Sequence, residues 1–184
     1  MSDSNRKSQR WAIDTRLVHS GRNPREQYGF VNTPIYRGST VLYPNTQALK
    51  AHNAPYVYGR KGTPTMSAFE HLIADMDGAA GAVAVPSGLA AVTTALLACV
   101  KSGDHILMTD SVYRPARHFC DTLLKNMGVE TQYYDPLIGG GIAALMRDNT
   151  KVVYTEAPGS QTMEMQDIPA IAEAAHARGA LVLT

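Results

Sequence analysis

Apolar positions along this chain keep two different rhythms. From about residue 82 onward, short runs rich in β-branched and aromatic residues alternate with longer stretches whose apolar residues return every three or four positions. The first rhythm is that of a strand, the second that of a helix with one packed face. The stretch "AVAVPSGLAAVTTALLACV" shows the switch most plainly, and no residue from Gly78 to Val100 is charged. A membrane helix needs about 20 apolar residues, so the length qualifies. The content does not: Gly, Ala, Ser and Thr dominate, and Pro86-Ser87-Gly88 interrupts the run. The pattern predicts a strand over 82–86, a tight turn, and a helix over about 89–101. Lys101-Ser102-Gly103 then supplies a basic last turn and a glycine stop.

The alternation continues to the last residue. "DHILMTD" reads as a strand, "YRPARHFCDTLLKNMG" as a helix ending on Gly128, and "VETQYY" as a strand. "IAALMRDNT" reads as a helix or turn and "KVVYTEAP" as a strand. "DIPAIAEAAHARG" reads as a helix capped by Asp167 and stopped by Gly179, and "ALVLT" begins another strand. Strands and helices at this spacing predict an α/β domain with a mostly parallel sheet and helices on both faces. The sequence stops inside that last strand, so it is expected to be the first part of a longer protein.

Residues 1–62 follow neither rhythm. "VNTPIYRGSTVLYPN" is extended in pattern, marked by Pro34 and Pro44, with aromatic residues nearby. It reads as an arm lying on another surface, either the chain's own or that of a partner subunit. Thr63-Pro64 then gives a cap and a proline at the first helical position, opening a helix to about Asp77.

Composition narrows the function classes. The 184 residues are 45% hydrophobic and 18% charged, enough to bury a core. The formal net charge is +1, from 17 basic against 16 acidic side chains, which gives no reason to expect a nucleic-acid partner. The first ten positions mix basic residues with Ser, Asp, Asn and Gln and lack an apolar stretch behind them, so they read as a frayed terminus and not as a signal peptide. Two distant cysteines, Cys99 and Cys120, suit a reducing, cytosolic setting. Cys120, on a predicted helix beside Phe119, reads as a small core hydrophobe. The six histidines show no metal-ligand spacing.

Four turns carry candidate chemistry. In an open α/β sheet, ligands gather where strands end and helices begin. Pro86-Ser87-Gly88 opens a helix whose free N–H groups and dipole suit a phosphate. Gly88 permits close approach and Ser87 adds a hydroxyl, though many such turns bind nothing. In "YVYGRKGTPT", Tyr58 and Arg60 could present a phenol and a guanidinium together, or form an ordinary polar loop. Tyr113 follows the strand over 105–109, either as a cover for a flat ligand or as a rim tyrosine. The strand over 152–155 ends in Glu156 and a Pro-Gly-Ser turn. Four such turns on one edge make a shared site more credible than any one of them alone.

Taken together, "DTRLVHSGR", "TPIYRGSTVLY", "YGRKGTPT", "VPSGLAAV", "GDHILMTDSVY" and "EAPGSQTMEMQDIPAI" resemble the Cys/Met-metabolism family of pyridoxal-phosphate (PLP) enzymes. The Pro-Gly-Ser form of the last motif is most similar to the cystathionine β-lyases of that family; γ-synthases and γ-lyases usually carry Asn where Ser160 stands. The resemblance implies the large domain of an aspartate-aminotransferase-like, fold type I PLP-dependent transferase over 63–184, incomplete at its C-terminus. It implies that the N–H groups around Ser87, Gly88 and Leu89 hold the phosphate of pyridoxal 5'-phosphate. Tyr58 and Arg60 would reach that phosphate from a neighbouring subunit, so the protein would be a homo-oligomer, a dimer at least and expected to be a tetramer. Tyr113 would stack on the pyridine ring and help in proton transfers, with Tyr58 also at the catalytic centre, and Ser160 would lie near the phenolic oxygen. The arm over 1–62 would clasp the adjacent subunit.

The departures are as telling. The family anchors its cofactor on a lysine in a Ser-x-Thr-Lys context, and Lys7, Lys50, Lys61, Lys101, Lys125 and Lys151 all lack it. Neither the ring-nitrogen aspartate nor the substrate-carboxylate arginine is identified. The expectation is a cytoplasmic carbon–sulfur lyase of methionine biosynthesis acting on an amino-acid thioether, with these residues alone inactive. A γ-synthase, γ-lyase or sulfhydrylase is the alternative within the family. A short paralogue that binds without catalysis is the alternative of another class.

Overall fold

The computed structural model describes residues 11–184, so the frayed terminus expected over the first ten positions lies outside the described residues. The chain divides into two compact units, one ending at Ala84 and the other beginning at Val85.

The first unit is helical and thinly packed. It holds α1 (Ile13–His19), a 3-10 turn (Pro24–Gln27), α2 (Thr46–Ala51) and α3 (Pro64–Asp77). Local signals start these helices. Asn45 accepts from the Ala48 N–H at 2.8 Å, and Thr63 accepts from the Met66 N–H at 3.3 Å with Pro64 in the first turn. Gly78, at φ 64°, ends α3 as expected. Arg16 on α1 pairs with Asp75 on α3 at 3.2 Å. Just past α1, Gly21 lies so close to α3 that a Cβ there would stand 2.1 Å from the Ala68 carbonyl oxygen. The segment read as an extended arm thus contains short helices, each too brief to print a period on the sequence.

The second unit is the α/β layer structure. It comprises α4 (Gly88–Cys99), β1 (His105–Thr109), α5 (Arg114–Phe119) passing into a π-helical turn (Cys120–Leu124), β2 (Glu130–Tyr134), a 3-10 segment (Gly139–Leu145), β3 (Thr150–Tyr154), α6 (Ile168–Ala177) and β4 (Leu181–Leu183). The four strands are parallel, in the order β2-β1-β3-β4. Alternation along each strand sends side chains to opposite faces. Ile106, Met108, Val152 and Tyr154 pack with Leu96 of α4 and with Ala116, Cys120 and Leu124 of α5 and its π turn. Leu107 and Val153 pack on the other face with Ile142, Met146, Ile171 and Ala175. Helices therefore cover both faces. Cys120, 1% exposed, is a core residue, and burial pushes its thiol pKa up to about 11.

Three expectations need correction. The stretch predicted as a strand over 82–86 joins no ladder among the described residues, and the Ala84 N–H is satisfied by the Glu70 carboxylate at 2.9 Å. A period-2 pattern reports a strand's faces and not whether a neighbour pairs with it. The following helix ends at Cys99, which leaves Lys101 beyond its last turn, and Gly103 at φ 88° turns the chain toward β1. The helix or turn over 142–150 is a 3-10 segment that begins earlier, in the Gly139-Gly140-Gly141 run, and ends at Leu145.

Candidate functional site

The carboxyl ends of the strands form the edge where the second unit gathers its polar turns. Helix α4 reaches β1 through a short connection at the strands' amino ends, so it runs antiparallel to them. At 12 residues it is about 18 Å long, comparable to the five-residue strand β1. Its N-terminus therefore lies toward the carboxyl edge.

That N-terminus is open. Ser87 caps it in extended conformation, its Oγ accepting from the Ala90 N–H at 3.1 Å and its carbonyl accepting from the Ala91 N–H at 3.0 Å. The N–H groups of Gly88 and Leu89 remain outside these bonds, as the first turn of a helix dictates. Having accepted, the Ser87 hydroxyl keeps its proton for a further acceptor. Ser87, Gly88 and Leu89 are all exposed, and a Cβ built on Gly88 would meet nothing within 4 Å. Two free N–H donors, a hydroxyl proton and the positive end of a dipole fit a phosphate.

Tyr113 lies just past the exit of β1, after Asp110, Ser111 and Val112, and immediately precedes α5 with its side chain 47% exposed. Its backbone N–H donates to Glu156 Oε2 at 3.1 Å, and its carbonyl accepts the Ala116 N–H at 2.9 Å. Glu156 follows β3, and beyond the cis Ala157–Pro158 peptide comes Gly159, where a Cβ would press within 2.6 Å of Ser111. The next N–H, that of Ser160, donates to the Ser111 carbonyl at 2.8 Å. The exits of β1 and β3 are thereby stitched together, with Tyr113 and Ser160 held on the stitched segments. Glu156 is visible in the sequence as a polar residue ending a strand; its contact with the Tyr113 backbone is not.

A nearby cleft of about 140 Å³ is lined by Asp110, Ser111, Val112, Pro136, Gln161, Thr162 and Glu164. Its lining includes two carboxylates and no basic side chain, so it does not suit an anion. The N-terminus of α4 does.

Tyr58 and Arg60 belong to the first unit. The Arg60 guanidinium carbon lies 4.8 Å from the Tyr58 ring centroid, so the phenol and the cation are presented together. Thr40 and Tyr58 form an antiparallel bridge, and the Gly59 N–H donates to the Ser39 carbonyl at 2.8 Å. Gly59 must be glycine, because a Cβ would lie 1.9 Å from the Gly38 carbonyl oxygen.

A family profile described as Cys/Met metabolism PLP-dependent enzyme matches residues 14–184. A Rhizobium johnstonii protein provisionally named a cystathionine beta-lyase is 53% identical over 183 residues, covering 100% of this chain and 46% of its own length. Cystathionine beta-lyase MetC of Escherichia coli is 41% identical over 167 residues, covering 88% of this chain and 42% of its own. Among solved structures, cystathionine gamma-lyase from Lactobacillus plantarum complexed with L-serine matches with a TM-score of 0.86 at 30% identity, covering 94% of this chain and 44% of that one. The chain thus spans about half the length of the curated relatives it matches.

Proposed function

The chain belongs to the Cys/Met-metabolism family of PLP-dependent enzymes, and from that premise we propose that it carries the phosphate cradle and ring platform of a carbon–sulfur β-lyase. The reaction is cleavage of cystathionine, with water, to homocysteine, pyruvate and ammonia. The observation that carries the reading is the open N-terminus of α4, directed to the same edge of the sheet as the stitched turns of Tyr113 and Ser160, in a chain similar at 53% and 41% identity to proteins bearing the cystathionine beta-lyase name.

The residues present fit the cofactor. Gly88 and Leu89 N–H groups and the Ser87 hydroxyl bind its phosphate, while Tyr58 and Arg60 reach the same phosphate from a neighbouring subunit. The half-exposed Tyr113 ring stacks against the pyridine, and its phenol holds and moves a proton near the substrate's Cα. Ser160 faces the cofactor's phenolic oxygen. Bound pyridoxal phosphate supplies an electron sink, which lets a proton leave Cα and a thiolate leave the β-carbon. The protein's share would be orientation, holding the substrate so that its Cα proton can leave. No residue of this chain is assigned as the covalent anchor. The assembly is a homo-oligomer, a dimer at least and a tetramer on the family pattern, and its setting is the cytoplasm. No helix among the described residues is long and apolar enough to cross a membrane.

The test is product analysis with the full-length protein, pyridoxal phosphate and L-cystathionine. Pyruvate and homocysteine in equal amounts are expected. Cysteine and 2-oxobutyrate would instead make it a γ-lyase, the reading favoured by the Lactobacillus plantarum structure. No product, together with no lysine adduct after borohydride reduction, would leave a binding paralogue.

A further inference from the structure

Three adjacent strands converge on one buried side chain. Gln166 directly precedes the α6 cap Asp167 and is 8% exposed. Its Nε2 donates to Thr109 Oγ1 at 2.8 Å and to the Glu156 carbonyl at 2.9 Å. Its Oε1 lies 3.1 Å from the Tyr134 hydroxyl, whose one proton it shares with the Tyr154 carbonyl at 2.9 Å. The Glu156 contact fixes the orientation of the amide, because a carbonyl can only accept. Thr109 and Tyr134 are the last residues of β1 and β2, and Glu156 lies two past the end of β3. Gln166 thus joins the exits of β2, β1 and β3, which are neighbours in the sheet.

The connections extend to the site. With Thr109 Oγ1 accepting from Gln166, its own proton is free to point at Ser111 Oγ, 3.0 Å away. The Ser111 carbonyl holds the Ser160 N–H, and the Glu156 carboxylate holds the Tyr113 N–H. Each group that presents Tyr113 or Ser160 is therefore one or two hydrogen bonds from the Gln166 amide.

We propose that Gln166 is a positioning residue for this site, holding the turns of Tyr113 and Ser160 in one arrangement by tying the ends of β1, β2 and β3 together. It is not a catalytic residue, since it lies buried beneath the edge. Its removal would take the Glu156 carbonyl's bond and leave Thr109 only Ser111 and the Tyr134 hydroxyl only the Tyr154 carbonyl, and buried networks fail as units more than as single bonds. The proposal rests on the functional reading only for which ligand the edge holds.

The test uses the full-length protein with Gln166→Met, which keeps length and burial and removes all three bonds. Hydrogen exchange without cofactor is expected to quicken about tenfold or more in peptides over 111–116 and 156–165, the loss of one buried hydrogen bond or more. With cofactor, its dissociation constant rises and kcat falls more than KM changes. Thr150→Val is the comparator. It breaks a buried contact with His105 Nδ1, 2.8 Å long, at the strands' amino ends, and should lower the melting temperature without moving either readout. If Gln166→Met does not fold, Tyr134→Phe removes the Oε1 bond together with the hydroxyl's 2.9 Å bond to the Tyr154 carbonyl, leaves both Nε2 bonds in place, and should quicken exchange in the same two segments to a smaller degree. Unchanged exchange in those segments, or an equal change in Thr150→Val, overturns the proposal. Wild-type protein that binds no pyridoxal phosphate, with the exchange pattern as expected, would sink the functional reading and support the tie.

Discussion

The two units of this chain hold their shape by different means. From Val85 onward, a parallel sheet is packed on both faces, and Leu96, Ile106, Leu107, Val152, Val153 and Ile171 are fully buried. Up to Ala84, no described residue is fully buried. Tyr28, Ile35 and Leu42 are 95%, 74% and 89% exposed. The second unit draws its stability from its own core. The first offers apolar surface that needs a cover, and on the proposed reading a neighbouring subunit supplies it. The proposed cofactor contacts follow the same division: Ser87, Gly88, Leu89, Tyr113 and Ser160 lie on the unit from Val85 onward, Tyr58 and Arg60 on the unit ending at Ala84.

Truncating the core should produce the largest effect. Ile106→Ala is expected to cost about 2–5 kcal/mol, as large-to-small changes in packed cores do, read as a shift in the urea midpoint. Leu42→Ala, at a residue 89% exposed in this chain, should cost less, because any burial it gains waits on the neighbouring subunit. Equal losses from the two substitutions would break the comparison. A paired Ile35→Asp and Leu42→Asp variant should instead move the sedimenting species toward monomer and weaken cofactor binding, because on the proposed reading Tyr58 and Arg60 act across subunits. An oligomer undisturbed by both charges would show that something else covers this surface.

A change at the phosphate cradle comes next in size. Ser87→Ala removes the cap of α4, worth about 1 kcal/mol, and also the hydroxyl proton that the proposed reading offers to the phosphate. Both the urea midpoint and the affinity for pyridoxal phosphate should fall. The comparison sharpens if Asn45→Ala, which removes an equivalent cap on α2 of the first unit, leaves that affinity unchanged in the same oligomer.

Much of the second unit was legible because its determinants are local. The β1, β2 and β3 runs, the Asp167 cap with its 3.1 Å bond to the Ala170 N–H, and the glycine stop at Gly179 all lie within a few residues of what they control. Three of the candidate turns, at 86–88, 110–113 and 156–160, were marked by the apolar run before each, while the Tyr58–Arg60 turn carried no such mark. Where pairing or convergence decides, the pattern was silent. The 82–86 run has a strand's alternation without a partner. Gln166 looks like any polar residue before a cap, and only the folding together of Thr109, Tyr134 and Glu156 makes it a junction. The short helices of the first unit escaped because α2 has only 6 residues, too few to show a period.

The smallest effect expected is a pH dependence confined to the second unit. His105 begins β1 and is fully buried, with Nδ1 bonded to Thr150 Oγ1 at 2.8 Å. Burial, reinforced by the nearby Arg147, holds its pKa below the ordinary 6.5, while Glu130 and Gln132 pull the other way. The folded protein therefore resists protonation that the unfolded chain accepts. Between the lowered folded value and 6.5 the unfolded state binds more protons, so stability rises with pH there and falls as the solution is acidified below 6.5. Urea midpoints at mildly acidic and at neutral pH should differ more for the wild type than for His105→Gln. The difference between the two proteins isolates this histidine from the others, and identical pH profiles would mean that the buried imidazole is protonated in the fold as easily as in water.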